Sequence, residues 1–205
     1  MTERALWLGR LGKKIVWGGL ALVVLIGHGS THGDDAFTIE EGFTSLFNGK
    51  DLSGWRLGKQ PLDGKVKTED FRFEAIDGVI RIQGGKPIED LYTVREFPRD
   101  FVLRLEFRAQ PKANSGLHIR GTQLQVRDYL TVGPYKDLKS FKPGDWNALE
   151  VTVKAGADGK PAIALCTCEG EVLEKELVVP ATGGIGLQSE TNQIEYRRIR
   201  IKEIP

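Results

Sequence analysis

Apolar and polar residues alternate with a period of two through much of residues 101–128, FVLRLEFRAQPKANSGLHIRGTQLQVRD. Successive side chains of a strand point to opposite faces of a sheet, so this period predicts strands with one buried and one largely polar face. A break rich in turn-forming residues at 111–116 separates a strand at 101–108 from two shorter ones at 117–120 and 123–127. If these three strands lie side by side, their polar stripes merge into one polar sheet face.

Two interpretations of this face are open. Antiparallel sheets often leave one face in water, which explains the alternation without any ligand. A plain solvated face favours Lys, Glu and Thr, whereas these strands carry His118, two Gln and four Arg. Long planar donors and amide groups suit ligands rich in hydroxyls. The residue types therefore favour a concave binding face.

Short alternating runs separated by Gly, Pro and Asn turns continue along the chain. They predict further strands at residues 71–75, 79–82, 91–97, 146–154, 162–168, 171–179, 183–188 and 194–204. In the last run the apolar parity slips, which predicts a β-bulge near Arg197 and Arg198. No stretch shows convincing helical periodicity. The pattern predicts an all-β sandwich, and the one polar, curved face suggests a jelly-roll.

The N-terminus is organised differently from the rest of the chain. Four basic residues precede an apolar run at 15–26, and small and polar residues follow at 27–33. This order is typical of a secretory signal peptide, and the apolar run is shorter than the ~20 residues that span a bilayer. We predict a signal peptide at residues 1–33, with an uncleaved anchor as the alternative. Residues 34–205 are then one exported domain, periplasmic or extracellular.

The charge balance and the cysteine content limit the binding partners, disulfides and metal sites that the sequence predicts. The leader holds four of the 29 Lys and Arg residues and one of the 28 Asp and Glu residues, which leaves residues 34–205 with a net charge of −2. This balance gives no reason to expect nucleic acid, or a membrane beyond the leader, as partner. Cys166 and Cys168 share a strand face too far apart for easy disulfide geometry, and no His neighbours them. We interpret them as small strand side chains.

Familiar catalytic motifs are missing: there is no GxSxG, HExxH, P-loop or post-strand GxGxxG. His118 is the one histidine of residues 34–205, and imidazole is the natural proton carrier near neutral pH. Asp128 is placed to orient or assist it. A His-rich metal site is excluded, but a cation such as Ca²⁺ or Mn²⁺, bound by carboxylates and carbonyls, is not. Trp55 and Trp146 flank turns and are either sugar platforms or core residues.

Four separated blocks carry a resemblance that covers roughly residues 41–203: FTSLFNGKDLSGW, DFVLRLEFRAQPKANSGLHIRG, PGDWNALEVTV and GGIGLQSETNQIEYRRIRIKEI. In this order they resemble the 3-keto-disaccharide hydrolase family. The resemblance implies a concanavalin A-like jelly-roll and an exported enzyme. It also implies cleavage of glycosides oxidised to a ketone at C3, by hydrolysis or by β-elimination followed by hydration.

Such chemistry needs a base near C2, donors for an enolate oxygen and an acid for the leaving group. His118 is the candidate base, and Glu190 or Asp128 would assist the leaving group or hold a cation. Arg104 and Arg120 would stabilise the enolate. The full set of candidate substrate-binding residues is Arg104, Arg120, Gln123, Gln125, Gln188, Trp55 and Trp146.

A non-catalytic carbohydrate-binding module with the same fold is the alternative. Family members commonly have Glu at the position of Gln123, an Asp-His pair in place of Ser189-Glu190, and Asn in place of Arg198. The retained His118 favours an enzyme, and these differences favour a module. An ordinary β-glucanase of this fold would show an ExDxxE strand, which the chain lacks. In each case the partner is a carbohydrate.

Overall fold

Alternating residues form fourteen β-strands in the computed structural model, which describes residues 37–85, 89–127, 134–156 and 160–205. The strands are β1 (Thr44–Ser45), β2 (Trp55–Leu57), β3 (Gln60–Pro61), β4 (Phe73–Ile76), β5 (Val79–Ile82), β6 (Leu91–Thr93), β7 (Phe101–Ala109), β8 (Asn114–Ile119), β9 (Thr122–Arg127), β10 (Asn147–Lys154), β11 (Ala162–Cys168), β12 (Glu171–Val179), β13 (Ile185–Leu187) and β14 (Ile194–Glu203). Within these ranges the one helical element is a 3₁₀ turn at Pro134–Asp137.

The strands form two antiparallel sheets. The eight-stranded sheet has the order β12-β11-β10-β7-β14-β5-β4, with β1 also paired to β14. The six-stranded sheet has the order β3-β2-β6-β13-β8-β9. The prediction of an all-β sandwich is confirmed.

One apolar core fills the space between the sheets. Leu103 and Leu105 of β7 and Leu117 and Ile119 of β8 are all buried in it. Their strand neighbours point to the opposite side, the outer face of each sheet. Period-two alternation therefore selects which side chains enter the core and which remain available for a site.

The expected side-by-side arrangement is confirmed for β8 and β9, which pair with each other, and is wrong for β7. β7 belongs to the eight-stranded sheet, whereas β8 and β9 belong to the six-stranded sheet. The chain crosses from one sheet to the other at residues 110–113, so the apolar stripes of β7 and β8 face each other across the core. Their polar stripes consequently lie on opposite outer surfaces. Alternation is identical in a hairpin and in such a crossover, so the pattern does not separate the two.

The predicted β-bulge in the last strand is confirmed. The pairing of β14 with β7 shifts register between Arg197 and Arg200, and Arg198 has a φ of 53°. The bulge returns Ile199 and Ile201 to the core after the parity slip. It also divides the opposite edge of β14, where β5 pairs before the bulge and β1 after it.

The two cysteines are free and buried in β11. Burial raises the pKa of both thiols to about 12, so neither forms a reactive thiolate at neutral pH. This agrees with their interpretation as small strand side chains. The predicted leader, residues 1–33, lies outside the described residues. In the described ranges, no helix combines the length and apolar character needed to cross a membrane.

Candidate functional site

The outer face of the six-stranded sheet carries a row of aligned residues. Antiparallel pairing places Arg56 of β2 opposite Tyr92 of β6, and Tyr92 opposite Gly186 of β13. The row continues from Gly186 to His118 of β8 and then to Gln123 of β9. Five strands thus contribute one outward position each. The row brings an imidazole, a phenol, a guanidinium and an amide onto one surface.

His118 is close to Asp90, the residue that precedes β6. Its Nε2 lies 3.0 Å from Asp90 Oδ2, without the alignment of a hydrogen bond. Both imidazole nitrogens and Asp90 Oδ1 are buried and have no hydrogen-bond partner among the described residues. Buried polar atoms in folded proteins are nearly always satisfied by protein or water. This pair therefore marks a place where a ligand or solvent completes the bonding.

Tyr92 reaches His118 across Gly186. The two ring centroids are 5.5 Å apart, with an interplanar angle of 37°. A Cβ atom on Gly186 would lie 2.5 Å from Tyr92 Cε1, so the ring crosses β13 because that position has no side chain. Burial raises the pKa of Tyr92, and the charge of Asp90 adds to the effect. The phenol therefore keeps its proton at neutral pH.

A second glycine supports a pair of amides. Gln123 Nε2 donates a hydrogen bond to Gln188 Oε1 at 2.8 Å. A Cβ on Gly116 would lie 2.5 Å from Gln123 Nε2, so this glycine lets the Gln123 side chain lie flat on the sheet. Gln125 Nε2 donates to the carbonyl of Ser115 at 2.7 Å. The three predicted glutamines lie on this face of the six-stranded sheet, and their role in binding hydroxyls stays a prediction.

The acidic candidates are less well connected. Glu190 lies two residues beyond Gln188, and its carbonyl accepts a hydrogen bond from Gly85 N at 2.8 Å. Within the described residues no hydrogen bond or ion pair joins Glu190 to His118. Asp128, the predicted assistant of His118, lies outside the described residues.

The two arginines predicted to stabilise an enolate are not brought to His118. Arg104 lies on the outer face of the eight-stranded sheet, where its Nε donates to Glu150 Oε2 at 2.7 Å. Arg120 occupies the turn between β8 and β9 with a φ of 52°, and it is 2 % exposed. Its guanidinium donates to the carbonyls of Arg99 and Pro180, so it ties loops together at one end of the sandwich. Placing Arg104 here was wrong because β7 belongs to the other sheet.

The two tryptophans also lie away from this face. Trp55 is fully buried in the core, and its Nε1 donates to the carbonyl of Leu46 at 2.8 Å. Trp146 lies between the guanidinium groups of Arg108 and Arg197, at 4.7 and 4.1 Å from its ring centroid. The core interpretation holds for Trp55. Trp146 is part of the opposite outer face.

Sequence reasoning missed Asp90, Tyr92 and Arg56. The alternation in EDLYT does place Asp90 and Tyr92 on one face, but nothing in the sequence pairs β6 with β13. The sequence left open a cation bound by carboxylates and carbonyls. In the described ranges, no group of three or more His, Cys, Asp and Glu residues is arranged to hold a metal ion.

Comparison with known proteins places the chain in a family. Residues 42–202 match the family described as 3-keto-alpha-glucoside-1,2-lyase-like domain. The fold is similar to two crystal structures from Parabacteroides distasonis, each named a putative glycosyl hydrolase. The first has 19% identity, a TM-score of 0.61, and coverage of 82% of this chain and 99% of that one. The second has 18% identity, a TM-score of 0.57, and coverage of 79% and 99%.

At these identities the structural likeness shows the fold alone, and no curated protein matches the chain. The family match spans most of the sequence, including both sheets, and it agrees with the resemblance carried by the four sequence blocks. The chain belongs to the 3-keto-alpha-glucoside-1,2-lyase-like domain family.

Proposed function

We propose that the chain is an exported enzyme that cleaves 3-keto-glycosides by β-elimination, with hydration of the unsaturated product as a second step. Family membership supports a carbohydrate-related function. The observation that carries the proposal is the His118–Asp90 pair. A buried imidazole whose nitrogens have no hydrogen-bond partner, next to a carboxylate, is an arrangement suited to a general base.

The chemistry follows from the C3 ketone. The ketone acidifies the C2 proton, because the electron pair left at C2 delocalises onto the carbonyl oxygen as an enolate. His118 takes that proton. The electron pair then forms the C1–C2 double bond, and the C1–O bond breaks. The products are an alcohol and a 3-keto-2-hydroxyglucal, to which water adds in the second step.

Asp90 supports this role by its position. A carboxylate 3.0 Å from one imidazole nitrogen favours a proton on that nitrogen, which leaves the other nitrogen free to act as base. Both nitrogens are buried, so substrate has to displace covering side chains to reach one of them. The neighbouring amides of Gln123 and Gln188 are suited to bind the sugar hydroxyls.

A non-catalytic carbohydrate-binding module is the second candidate. The observation that favours it is the Gln123–Gln188 amide pair, which offers donors and acceptors without a charged group. A module requires these amides but has no need of His118. The two candidates therefore differ in what happens when His118 is replaced.

The test compares 3-keto-glucosides with their unoxidised parents, with and without added Ca²⁺ or Mn²⁺, and follows release of the aglycone. Substrates carrying deuterium at C2 report whether that C–H bond breaks in the rate-limiting step. The variants are His118→Ala and, as a matched control on the other sheet, Glu150→Gln. We expect release from oxidised substrates alone, slowed by deuterium, lost in His118→Ala and retained in Glu150→Gln.

Each other result has a distinct meaning. Release that survives His118→Ala keeps the enzyme and removes His118 as base. Saturable binding without release, unaffected by His118→Ala, supports the binding module. Release from the unoxidised parents would point to an ordinary glycosidase and reject elimination.

A further inference from the structure

Tyr92 lies where a second proton-transfer group is needed. Its ring is tilted against the imidazole of His118, 5.5 Å away between centroids. The two residues come from strands that are not neighbours, because β13 runs between them. No hydrogen bond to the Tyr92 hydroxyl occurs within the described residues. The phenol is therefore a proton donor next to the candidate base, with its donating capacity unused.

We propose that Tyr92 protonates the leaving oxygen and that Gly186 positions it for this step. The inference rests on the proposed elimination, which needs an acid as well as a base. Of the two acids expected from the sequence, Asp128 lies outside the described residues, and Glu190 has no hydrogen bond or ion pair to His118 within them. Tyr92 takes the role because it lies on the same sheet face as the base.

The proton transfers balance without an external reagent. When the C1–O bond breaks, the leaving oxygen keeps the bonding pair and takes the phenolic proton. Tyr92 is then a phenolate, and His118 carries the proton removed from C2. Transfer of this proton from His118 to Tyr92 restores both groups. An alkoxide is a stronger base than a phenolate, so protonation of an alkyl leaving group by Tyr92 is favourable.

The surrounding charges fit a donor of this kind. Burial and the charge of Asp90 raise the pKa of Tyr92, which keeps the phenol protonated before the reaction. The Arg56 guanidinium lies 5.5 Å from the ring centroid and acts in the opposite direction. It would stabilise the phenolate once the proton has left. Arg56 and Asp90 thus flank the phenol with opposite charges.

Gly186 is the positioning residue. A Cβ there would lie 2.5 Å from Tyr92 Cε1 and 2.8 Å from both Cδ1 and Cζ. In a Gly186→Ala variant, the added Cβ therefore forces the Tyr92 ring to move away from β13. Gly116→Ala offers a matched control on the adjacent strand, because its Cβ would meet Gln123 Nε2 at 2.5 Å instead of Tyr92.

The experiment uses two 3-keto-glucosides with different leaving groups, methanol and 4-nitrophenol. A nitrophenolate leaves without protonation, whereas methoxide needs an acid. We expect Tyr92→Phe to lower kcat/KM on the methyl substrate about 100-fold or more and on the nitrophenyl substrate less than about 10-fold. Phenylalanine keeps the ring over Gly186 and removes only the hydroxyl, so the fold should be unaffected.

The glycine variants separate acid catalysis from binding. Gly186→Ala is expected to show the same selective loss on the methyl substrate, whereas Gly116→Ala should raise KM equally for both substrates. Circular dichroism and thermal melting check that each variant is folded. A Gly186→Ala variant that is folded and equally active on both substrates would remove Gly186 from the proposal.

Equal effects of Tyr92→Phe on the two substrates, or no effect, would overturn the acid role and leave Tyr92 as a sugar platform. Failure of the proposed function is distinguishable, because wild-type protein would then release neither aglycone. That result would reject the elimination and the acid together.

Discussion

The outer faces of the two sheets have the same alternating polar pattern but differ in whether their charged and polar groups have hydrogen-bond partners. On the eight-stranded sheet, Glu106 accepts hydrogen bonds from Arg197 at 2.7 Å and Arg198 at 2.9 Å. Glu195 is buried between Arg81 and Arg108 and accepts from both. These carboxylates are paired with guanidinium groups across neighbouring strands. These carboxylates have their hydrogen-bond partners within the protein and need no ligand to satisfy them.

The outer face of the six-stranded sheet is built differently. Both nitrogens of His118 and the Oδ1 of Asp90 are buried without hydrogen bonds in the described residues. Gly186 and Gly116 have no side chains, so the Tyr92 ring lies over the backbone of Gly186 and the Gln123 side chain over that of Gly116. Both faces look polar in the sequence, so polarity does not separate a site from a solvated surface. What distinguishes the site is that some of its buried polar atoms have no hydrogen-bond partner in the described residues.

The largest expected effect tests this contrast at Asp90. Asp90→Asn keeps the size of the side chain but removes the charge beside His118 Nε2. We expect kcat on a 3-keto-glucoside to fall by about 10²- to 10⁴-fold, because the imidazole loses the group that directs its proton. Steady-state kinetics measure this loss, with circular dichroism to check that the variant is folded.

The counterpart on the other face is Glu150, which pairs with Arg104. Glu150→Gln should leave kcat/KM within about twofold of the wild type, because Glu150 lies on the other sheet from His118 and its exposed ion pair contributes little to stability. A large kinetic loss there together with a small one in Asp90→Asn would show that the two faces have been assigned the wrong way round. A small loss in Asp90→Asn alone would remove Asp90 as the partner of His118.

The next effect is on stability and concerns Glu195. Its side chain is 5 % exposed and lies 3.0 Å from Arg81 and closer to Arg108. Burial by itself raises the pKa of Glu195, but the hydrogen bonds from Arg108 and Arg81 outweigh it and hold the pKa below its ordinary value. We expect Glu195→Gln to lower the free energy of unfolding by about 1–3 kcal/mol.

Chemical denaturation measures that loss, and activity per folded molecule should be unchanged because the network lies on the face opposite His118. If Glu195→Gln lowered kcat without lowering stability, the eight-stranded face would take part in function. The contrast between a satisfied and an unsatisfied face would then fail.

Local structure followed well from the sequence. Period-two alternation predicted the long strands, and the parity slip between Tyr196 and Ile199 predicted the bulge at Arg198. These features depend on neighbouring residues alone. The sequence also singled out His118 and the glutamines by their residue types, and these residues share one outer face.

The assembly of the site did not follow. Whether β7 and β8 form a hairpin or cross between sheets depends on pairing partners far along the chain, so Arg104 was assigned to the wrong face. Asp90 and Tyr92 were missed for the same reason, since Tyr92 meets His118 only across β13. The role proposed for Gly186 depends on Tyr92, which is far away in sequence but lies on the adjacent strand, β6.

The stabilising contribution of Glu40, on the outer face of the eight-stranded sheet, is expected to depend on pH. Arg200 donates to its two oxygens, at 2.5 and 2.6 Å, and these hydrogen bonds lower the pKa of Glu40 from 4.5 to about 2. A carboxyl group with a lowered folded-state pKa stabilises the fold fully above its unfolded pKa, and this contribution is lost as the pH falls. The stability difference between wild type and Glu40→Gln should therefore be constant above about pH 5 and shrink between pH 4.5 and 2.

Urea midpoints of the two proteins across this pH range measure the difference. A constant gap down to pH 2 would mean that the Arg200 hydrogen bonds do not depend on the charge of Glu40. The pH dependence of activity should not follow this curve, because Glu40 lies on the face opposite His118.

The smallest expected effect concerns Trp146, one of the two tryptophans that the sequence offered as sugar platforms. It is half-buried between Arg108 and Arg197, whose guanidinium groups occupy positions 4.7 and 4.1 Å from its ring centroid. Cation–π contacts of this kind contribute about 0.5–2 kcal/mol. Trp146→Ala should lower stability by an amount in this range and leave KM for a 3-keto-glucoside unchanged, whereas Gly116→Ala on the other face should raise it. A rise in KM in Trp146→Ala would mean that sugar contacts an already satisfied surface. Incomplete bonding would then no longer be sufficient to locate the site, and the aromatic residue would have been the better guide.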